Sequence, residues 1–294
     1  MNKKKQELNN SETYAYYDEG QGEVILLIHG NLSSSGYYLP LIKNLSSSFR
    51  TIAVDLRGFG DSTYNRRIKT LKDFADDIKL FLDSLNIKKV YIAGWSLGGG
   101  VAMEFASHYQ DYVNKLILIN STTHKGYPIF KKDKNFNPIL TEVYTSPEEL
   151  ANDPIQVKPV LDALKSKKAE FMKYVYDLTI YTNKKPDLTE NEFYISETLK
   201  QQNLIDADFA LASLNMSNED SLYSKGMGNI KDIKVPVLHI WGTLDKTVPE
   251  YMVLDNINAI PGQSTYIKFN ECGHSPIVDK LEELSSELIK FIIS

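Results

Sequence analysis

The 294 residues contain a single cysteine, Cys272, so no disulfide can form within the chain and a reducing compartment is expected. Long hydrophobic runs are also missing. Even the VILLI string at 24–28 stops far short of the roughly 18 apolar residues that cross a bilayer. The opening MNKKKQELNN runs on through Ser11 without an apolar export core, and a cytoplasmic protein with no membrane span is expected. Charge of one sign is not concentrated. The net charge is −5, and basic pairs such as Arg66–Arg67 and Lys184–Lys185 are scattered, which argues against nucleic acid as a partner. HExxH and paired-cysteine ligand sets are absent, and GWSLGG lacks the spacing of a dinucleotide loop, so neither a metal nor a cofactor is expected.

What is present is alternation. Short apolar runs at 24–28, 51–54, 90–93, 116–119, 237–241 and 265–269 read as buried strands. Between them lie helical patterns, the clearest being TLKDFADDIKLFLDSL. There Leu71, Phe74, Ala75, Ile78, Phe81, Leu82 and Leu85 share one face behind a Thr70 cap. A last helix is expected over about 280–293, with Leu281, Leu284, Leu288 and Ile292 inward. This order predicts an α/β fold, a mainly parallel sheet covered by helices, with reactive groups at the carboxyl ends of the strands.

From about His124 to Ile230 the rhythm stops. Capping signatures at Ser146-Pro147 with Glu149 and at Thr189 with Glu192 point to helices, and so long a stretch inside one domain is expected to fold. Residues 124–230 are read as a helical cap inserted into a core formed by 1–123 and 231–294.

The string VYIAGWSLGGGVAMEFA puts Gly94-Trp95-Ser96-Leu97-Gly98 where a strand turns into a helix, the setting of a nucleophile elbow. A serine hydroxyl needs a histidine base oriented by a carboxylate. Of the five histidines, His239 lies in a strand, His108 on the elbow helix and His124 at the start of the insertion, while His29 ends a strand and is read as a loop brace. His274, in the polar loop NECGHSP after the last strand, is left as the base. Asp245, in WGTLDKTVPE after the strand before it, is the matching carboxylate; the rival strand end holds Asn120, which carries no charge. His29-Gly30-Asn31 offers a backbone N–H for an oxyanion hole, from Asn31 or alternatively Leu32, and Leu97 after the nucleophile offers the second. Trp95 and Leu32 are candidate substrate contacts. Cap aromatics such as Tyr127, Phe130, Tyr174, Tyr176 and Tyr181 are read mostly as packing, and Cys272 as a small filler beside His274.

Five motifs in order, HGN, DLRGFGDS at 55–62, GWSLGG, GTLDKTVP and CGHSP, resemble the α/β-hydrolase superfamily. The resemblance implies an eight-stranded sheet, no cofactor and hydrolysis through an acyl-enzyme, with Asp55, Arg57, Gly58 and Asp61 shaping a turn. HGN followed by a cap is also similar to haloalkane dehalogenases and epoxide hydrolases, whose nucleophile is Asp; Ser96 argues against both. More narrowly, the Trp before Ser96, the GGG after Leu97 and the strings HKGYPIFKKD and DPIQVKPVLDA look like those of intracellular short-chain-length polyhydroxyalkanoate depolymerases. This implies poly(3-hydroxybutyrate) or its oligomers as substrate, with a small-ester carboxylesterase, thioesterase, carbon–carbon bond hydrolase or perhydrolase, or a non-catalytic ligand-binding relative, as alternatives.

Overall fold

The computed structural model describes residues 1–260 and 263–294. Among the described residues ten strands are formed: β1 (Lys4–Glu7), β2 (Thr13–Glu19), β3 (Val24–Ile28), β4 (Arg50–Val54), β5 (Val90–Trp95), β6 (Val113–Ile119), β7 (Phe130–Lys132), β8 (Pro138–Val143), β9 (Val237–Gly242) and β10 (Ser264–Phe269). Eight of them make one sheet in the order β1-β2-β4-β3-β5-β6-β9-β10. The pairs from β4 to β10 are parallel, and β1 and β2 add an antiparallel edge. Both sheet faces are buried, and β3 shows why its sequence is continuously apolar. Leu26 and Ile28 enter one core layer, Ile25 and Leu27 the other.

The main helices of the core are α1 (Leu39–Leu45), α2 (Leu71–Ser84) and α3 (Leu97–His108), followed after the insertion by α9 (Glu250–Ala259), α10 (Pro276–Asp279) and α11 (Leu281–Ile293). Helices α2 and α3 pack together on one face of the sheet, α1 and α11 on the other. The apolar stripe of α2 is buried as its spacing requires, and Asp73 closes the first turn by accepting from the Thr70 N–H at 2.9 Å.

The insertion holds α4 (Pro147–Leu150), α5 (Lys158–Lys165), α6 (Ala169–Thr179), α7 (Leu188–Thr198) and α8 (Leu204–Ala212). It is not wholly helical, because β7 and β8 form an antiparallel hairpin ahead of α4. Ser146 caps α4, accepting from the Glu149 N–H at 3.1 Å. The second signature is displaced: α7 is capped by Asp187, which accepts from the Glu190 N–H at 2.8 Å, and Thr189 lies inside the helix. An aspartate at this position also complements the helix dipole. Past α8 the chain returns to the core, where Met216 and Ile230 are buried in the same layer as α3.

Successive connections place the site. From β3 the chain moves to β4 on one side, and after β5 it proceeds to β6, β9 and β10 on the other. The crevice between the carboxyl ends of β3 and β5 is thus the switch point where such sheets bind ligands.

Candidate active site

Ser96 sits at that switch point, between β5 and α3, with φ of 56°. The strained left-handed backbone belongs to the serine itself, whereas the flanking glycines allow close approach. A Cβ on Gly94 would lie 2.2 Å from the Gly98 carbonyl oxygen, and one on Gly98 would lie 2.2 Å from that of Ile28. The motif therefore presses the elbow against β3 and the loop that follows it.

His274, in the loop between β10 and α10, is almost fully buried, and its Nδ1 lies 2.8 Å from Asp245 Oδ2. Asp245 follows β9. Its other oxygen accepts from the N–H groups of Thr247 at 2.8 Å and Val248 at 2.9 Å, so the carboxylate is fixed in place with one oxygen facing the imidazole. Nε2 has no hydrogen-bond partner among the described residues, and His274 and Ser96 line the same pocket. Ser96 Oγ has no hydrogen-bond partner among the described residues; such contacts commonly shorten when substrate closes the site.

The remaining histidines stand apart. His29 Nε2 accepts from the Leu56 N–H at 3.1 Å and Nδ1 donates to the Gly30 carbonyl at 2.7 Å, with burial pushing its pKa down to about 4. It is a neutral brace under the Gly30-Asn31-Leu32 loop. His239 is buried in β9 with its pKa pushed down to about 4 by desolvation. Asn120 has a bracing part: its Nδ2 donates to the Gly273 carbonyl at 2.9 Å and its Oδ1 accepts from the Gly242 N–H at 3.2 Å. It thereby ties together the loops that carry Asp245 and His274.

After β3, the loop Gly30-Asn31-Leu32 faces Ser96. The Leu32 N–H is already engaged, donating to Gln201 Oε1 at 3.1 Å, whereas the Asn31 N–H has no acceptor among the described residues. The Leu97 N–H opens α3, where helix geometry leaves it without an intrahelical acceptor. Leu32 has φ of 58°, its carbonyl accepts from Tyr176 Oη and from Thr198 Oγ1 at 2.6 Å, and its side chain lines the pocket. Trp95 is 2% exposed; its Nε1 donates to the His274 carbonyl at 2.7 Å and its ring stacks at a tilt 5.6 Å from the imidazole. It touches the pocket, but its main contact is with the histidine loop. Cys272 is wholly buried and its thiol is pushed up by desolvation, as suits a filler.

Sequence reading missed the residues that the insertion contributes. Gln201 Nε2 donates to Asn31 Oδ1 at 2.9 Å, Asn31 Nδ2 donates to Asp208 Oδ1 at 2.7 Å, and Asn203 Nδ2 donates to the Arg57 carbonyl at 2.7 Å. No motif marks the QQNLIDAD string that supplies them. Asp55, Arg57, Gly58 and Asp61 form a turn outside the pocket, where Arg57 pairs with Asp77 at 2.6 Å.

Two outcomes follow. Gln201→Leu removes the partners of the Leu32 N–H and of Asn31 Oδ1. Since losing one oxyanion donor costs about 100- to 1,000-fold, a loosened donor is expected to lower kcat by about tenfold or more, with KM changed less. Steady-state kinetics on a soluble ester reads this, and an unchanged kcat would refute the bracing role. Burial also pushes the Asp208 carboxyl up to about 7, aided by the Asp153 charge and opposed by the bond from Asn31. An unfolded aspartate titrates near 4, so between about pH 4 and 7 the folded chain binds the extra proton, and stability falls as pH rises through that window. Asp208→Asn abolishes this dependence. Its stability relative to wild type should rise by roughly 2–3 kcal/mol from pH 5 to pH 8 in urea melts; a constant difference would contradict the shift.

The fold, elbow and triad-like geometry define a class. The chain belongs to the alpha/beta hydrolase fold family, whose profile matches residues 23–281. It is 26% identical over 284 residues to the pimeloyl-[acyl-carrier protein] methyl ester esterase of Vibrio atlanticus, covering 96% of this chain and 98% of that protein. It is also 26% identical over 284 residues to the 2-hydroxy-6-oxononadienedioate/2-hydroxy-6-oxononatrienedioate hydrolase of Paraburkholderia phymatum, covering 94% of this chain and 90% of that one. Among solved structures, an esterase from Exiguobacterium antarcticum superposes with a TM-score of 0.75 at 19% identity over 99% of both chains. No described helix is long and apolar enough to cross a membrane.

Proposed function

We propose that the protein is a serine hydrolase of small carboxylic esters, with Ser96 as nucleophile, His274 as base and Asp245 as its orienting carboxylate. The observation that carries this is the 2.8 Å His274–Asp245 pair opening onto the same pocket as a strained elbow serine. His274 removes the Ser96 proton as Oγ attacks the ester carbonyl carbon, and the N–H groups of Asn31 and Leu97 receive the oxyanion. The intermediate collapses, the acyl–oxygen bond breaks, and His274 returns its proton to the leaving alcohol. Water, deprotonated by the same imidazole, then releases the acid and restores Ser96. Asn31 is preferred to Leu32 as donor because its N–H is uncommitted.

In this reading the elements from β7 to α8 act as a cap, since Val160, Tyr176, Thr179 and Leu204 close the pocket over Ser96. The pocket volume is about 270 Å³, at the small end for ligand sites. That supports a small ester over a polyester strand, as do the esterase and hydrolase names of the relatives. The polyester reading rests on resemblance alone, in Trp95, the GGG after Leu97 and two strings of the insertion. Hydrolysis of 4-nitrophenyl butyrate, blocked by a serine-reactive phosphonate attached to Ser96, tests the proposal. Activity that survives complete phosphonate labelling would defeat it. Release of 3-hydroxybutyrate from amorphous poly(3-hydroxybutyrate) is expected to be negligible.

A further inference from the structure

We infer that Asp208 is a specificity-determining residue that recognises a hydroxyl group on the substrate, so that the preferred substrates are small esters hydroxylated within a few bonds of the scissile carbonyl. This rests on the ester-hydrolase reading above and names its substrate class. The pocket is mostly apolar, walled by Leu32, Ile129, Val160, Leu204 and Leu211. Several polar groups on it are already engaged internally: Tyr127 Oη donates to the Thr247 carbonyl at 2.9 Å, Thr179 Oγ1 to the Val175 carbonyl at 2.7 Å, and Tyr176 Oη to Leu32. Asp208 differs. It lies on α8 with 9% exposure, one oxygen held by Asn31 Nδ2 and the other without a partner among the described residues. No cation pairs with it among those residues. A buried carboxyl without a cation is costly to keep, and its open oxygen meets the pocket.

A second polar atom points the same way. Thr122, 1% exposed, lines this pocket and its Oγ1 has no hydrogen-bond partner. With Gln156 Nε2 and Lys246 Nζ, which line the same cavity and also lack partners among the described residues, they are the few polar groups able to orient a ligand in a mostly apolar site. Placement sets the scale. The Asn31 residue that offers its N–H to the oxyanion holds Asp208 through its own side chain, so the carboxyl is one side-chain length from the reacting carbonyl.

The chemistry selects a hydroxyl. With the carboxyl poised near neutrality, as its pKa of about 7 requires, a ligand must pair with either protonation state. A hydroxyl donates to the carboxylate and accepts from the carboxylic acid; an ammonium pairs only with the first and a carbonyl only with the second. A ligand carboxylate would be repelled by the ionised form.

The test compares kcat/KM for the 4-nitrophenyl esters of butyrate, 2-hydroxybutyrate, 3-hydroxybutyrate and 3-aminobutyrate. The ratio between esters cancels the fraction of active protein, so an imperfectly folded variant still answers. Wild type is expected to favour one hydroxylated ester over butyrate by about 10- to 100-fold, the range of a hydrogen bond to a charged or buried partner. Asp208→Leu should bring the ratio near one, while Asp208→Asn, which keeps a pairing group, retains part of it. A wild-type ratio near one, a preference that survives Asp208→Leu, or a larger preference for the amino ester would each overturn the inference. Absence of turnover with all four esters would sink the hydrolase reading instead. In that event calorimetric binding of methyl 3-hydroxybutyrate against methyl butyrate decides the subsite, and equal affinities overturn it.

Discussion

Ser96→Ala is expected to lower kcat on 4-nitrophenyl butyrate by about 10⁵- to 10⁶-fold, and His274→Ala by nearly as much, because members of a triad act as one unit and each loss disables the others. The double variant should therefore be little worse than either single one. Ser96→Ala removes no hydrogen bond, since Ser96 Oγ has no partner among the described residues and the elbow is kept by backbone bonds, such as that from the Thr122 N–H to the Ser96 carbonyl at 3.2 Å, whereas His274→Ala gives up the buried bond to Asp245 Oδ2. For Ser96→Ala a melting temperature close to wild type should accompany the loss. Residual activity within tenfold of wild type in Ser96→Ala would remove Ser96 from the mechanism.

The second large effect concerns Asp245→Asn, for which a fall in kcat of about 10⁴-fold is expected. The asparagine oxygen can still accept from the Thr247 and Val248 N–H groups, so the turn should persist. Its amide then faces His274 Nδ1 as a donor where the carboxylate accepted. The imidazole is forced to place its proton on Nε2, the nitrogen that must be free to deprotonate Ser96, and the charge that steadies the imidazolium is gone. Steady-state kinetics with circular dichroism separates this from unfolding; a loss below tenfold would show that the pair does not govern the base.

Much of this site was legible because the chemistry is local in sequence. The elbow, the HGN turn and the loop holding Asp245 each follow a strand that announces itself by a nearly continuous apolar run, and the loop holding His274 follows the mixed run STYIKF. Parallel strands bring their carboxyl ends to one rim whatever lies between them. The edge strands β1 and β2 escaped notice because KKQE is wholly polar and TYAYYDE is followed by no helix. The β7–β8 hairpin was hidden for the same reason, since FKK and PILTEV carry little apolar pattern and the helix caps around them dominate. Thr189 misled because its spacing to Glu192 imitates a capping box, while the same spacing two residues earlier, from Asp187 to Glu190, belongs to the true cap. Gln201 and Asp208 could not be read at all. Their partner Asn31 lies 170 and 177 residues away, and polar side chains on a helix signal solvent as readily as a buried network.

The way the insertion grips the loop after β3 bears on how such proteins diversify. Gln201, Asp208, Tyr176 and Thr198 bond the side chain of Asn31 or the backbone of Leu32, so this insertion is no interchangeable module. A chimera that carries a relative's insertion on this core would inherit a new pocket roof and, at the same stroke, lose the supports of Asn31. Recombination between family members should therefore succeed only when the HGN loop travels together with the segment that ends in α8.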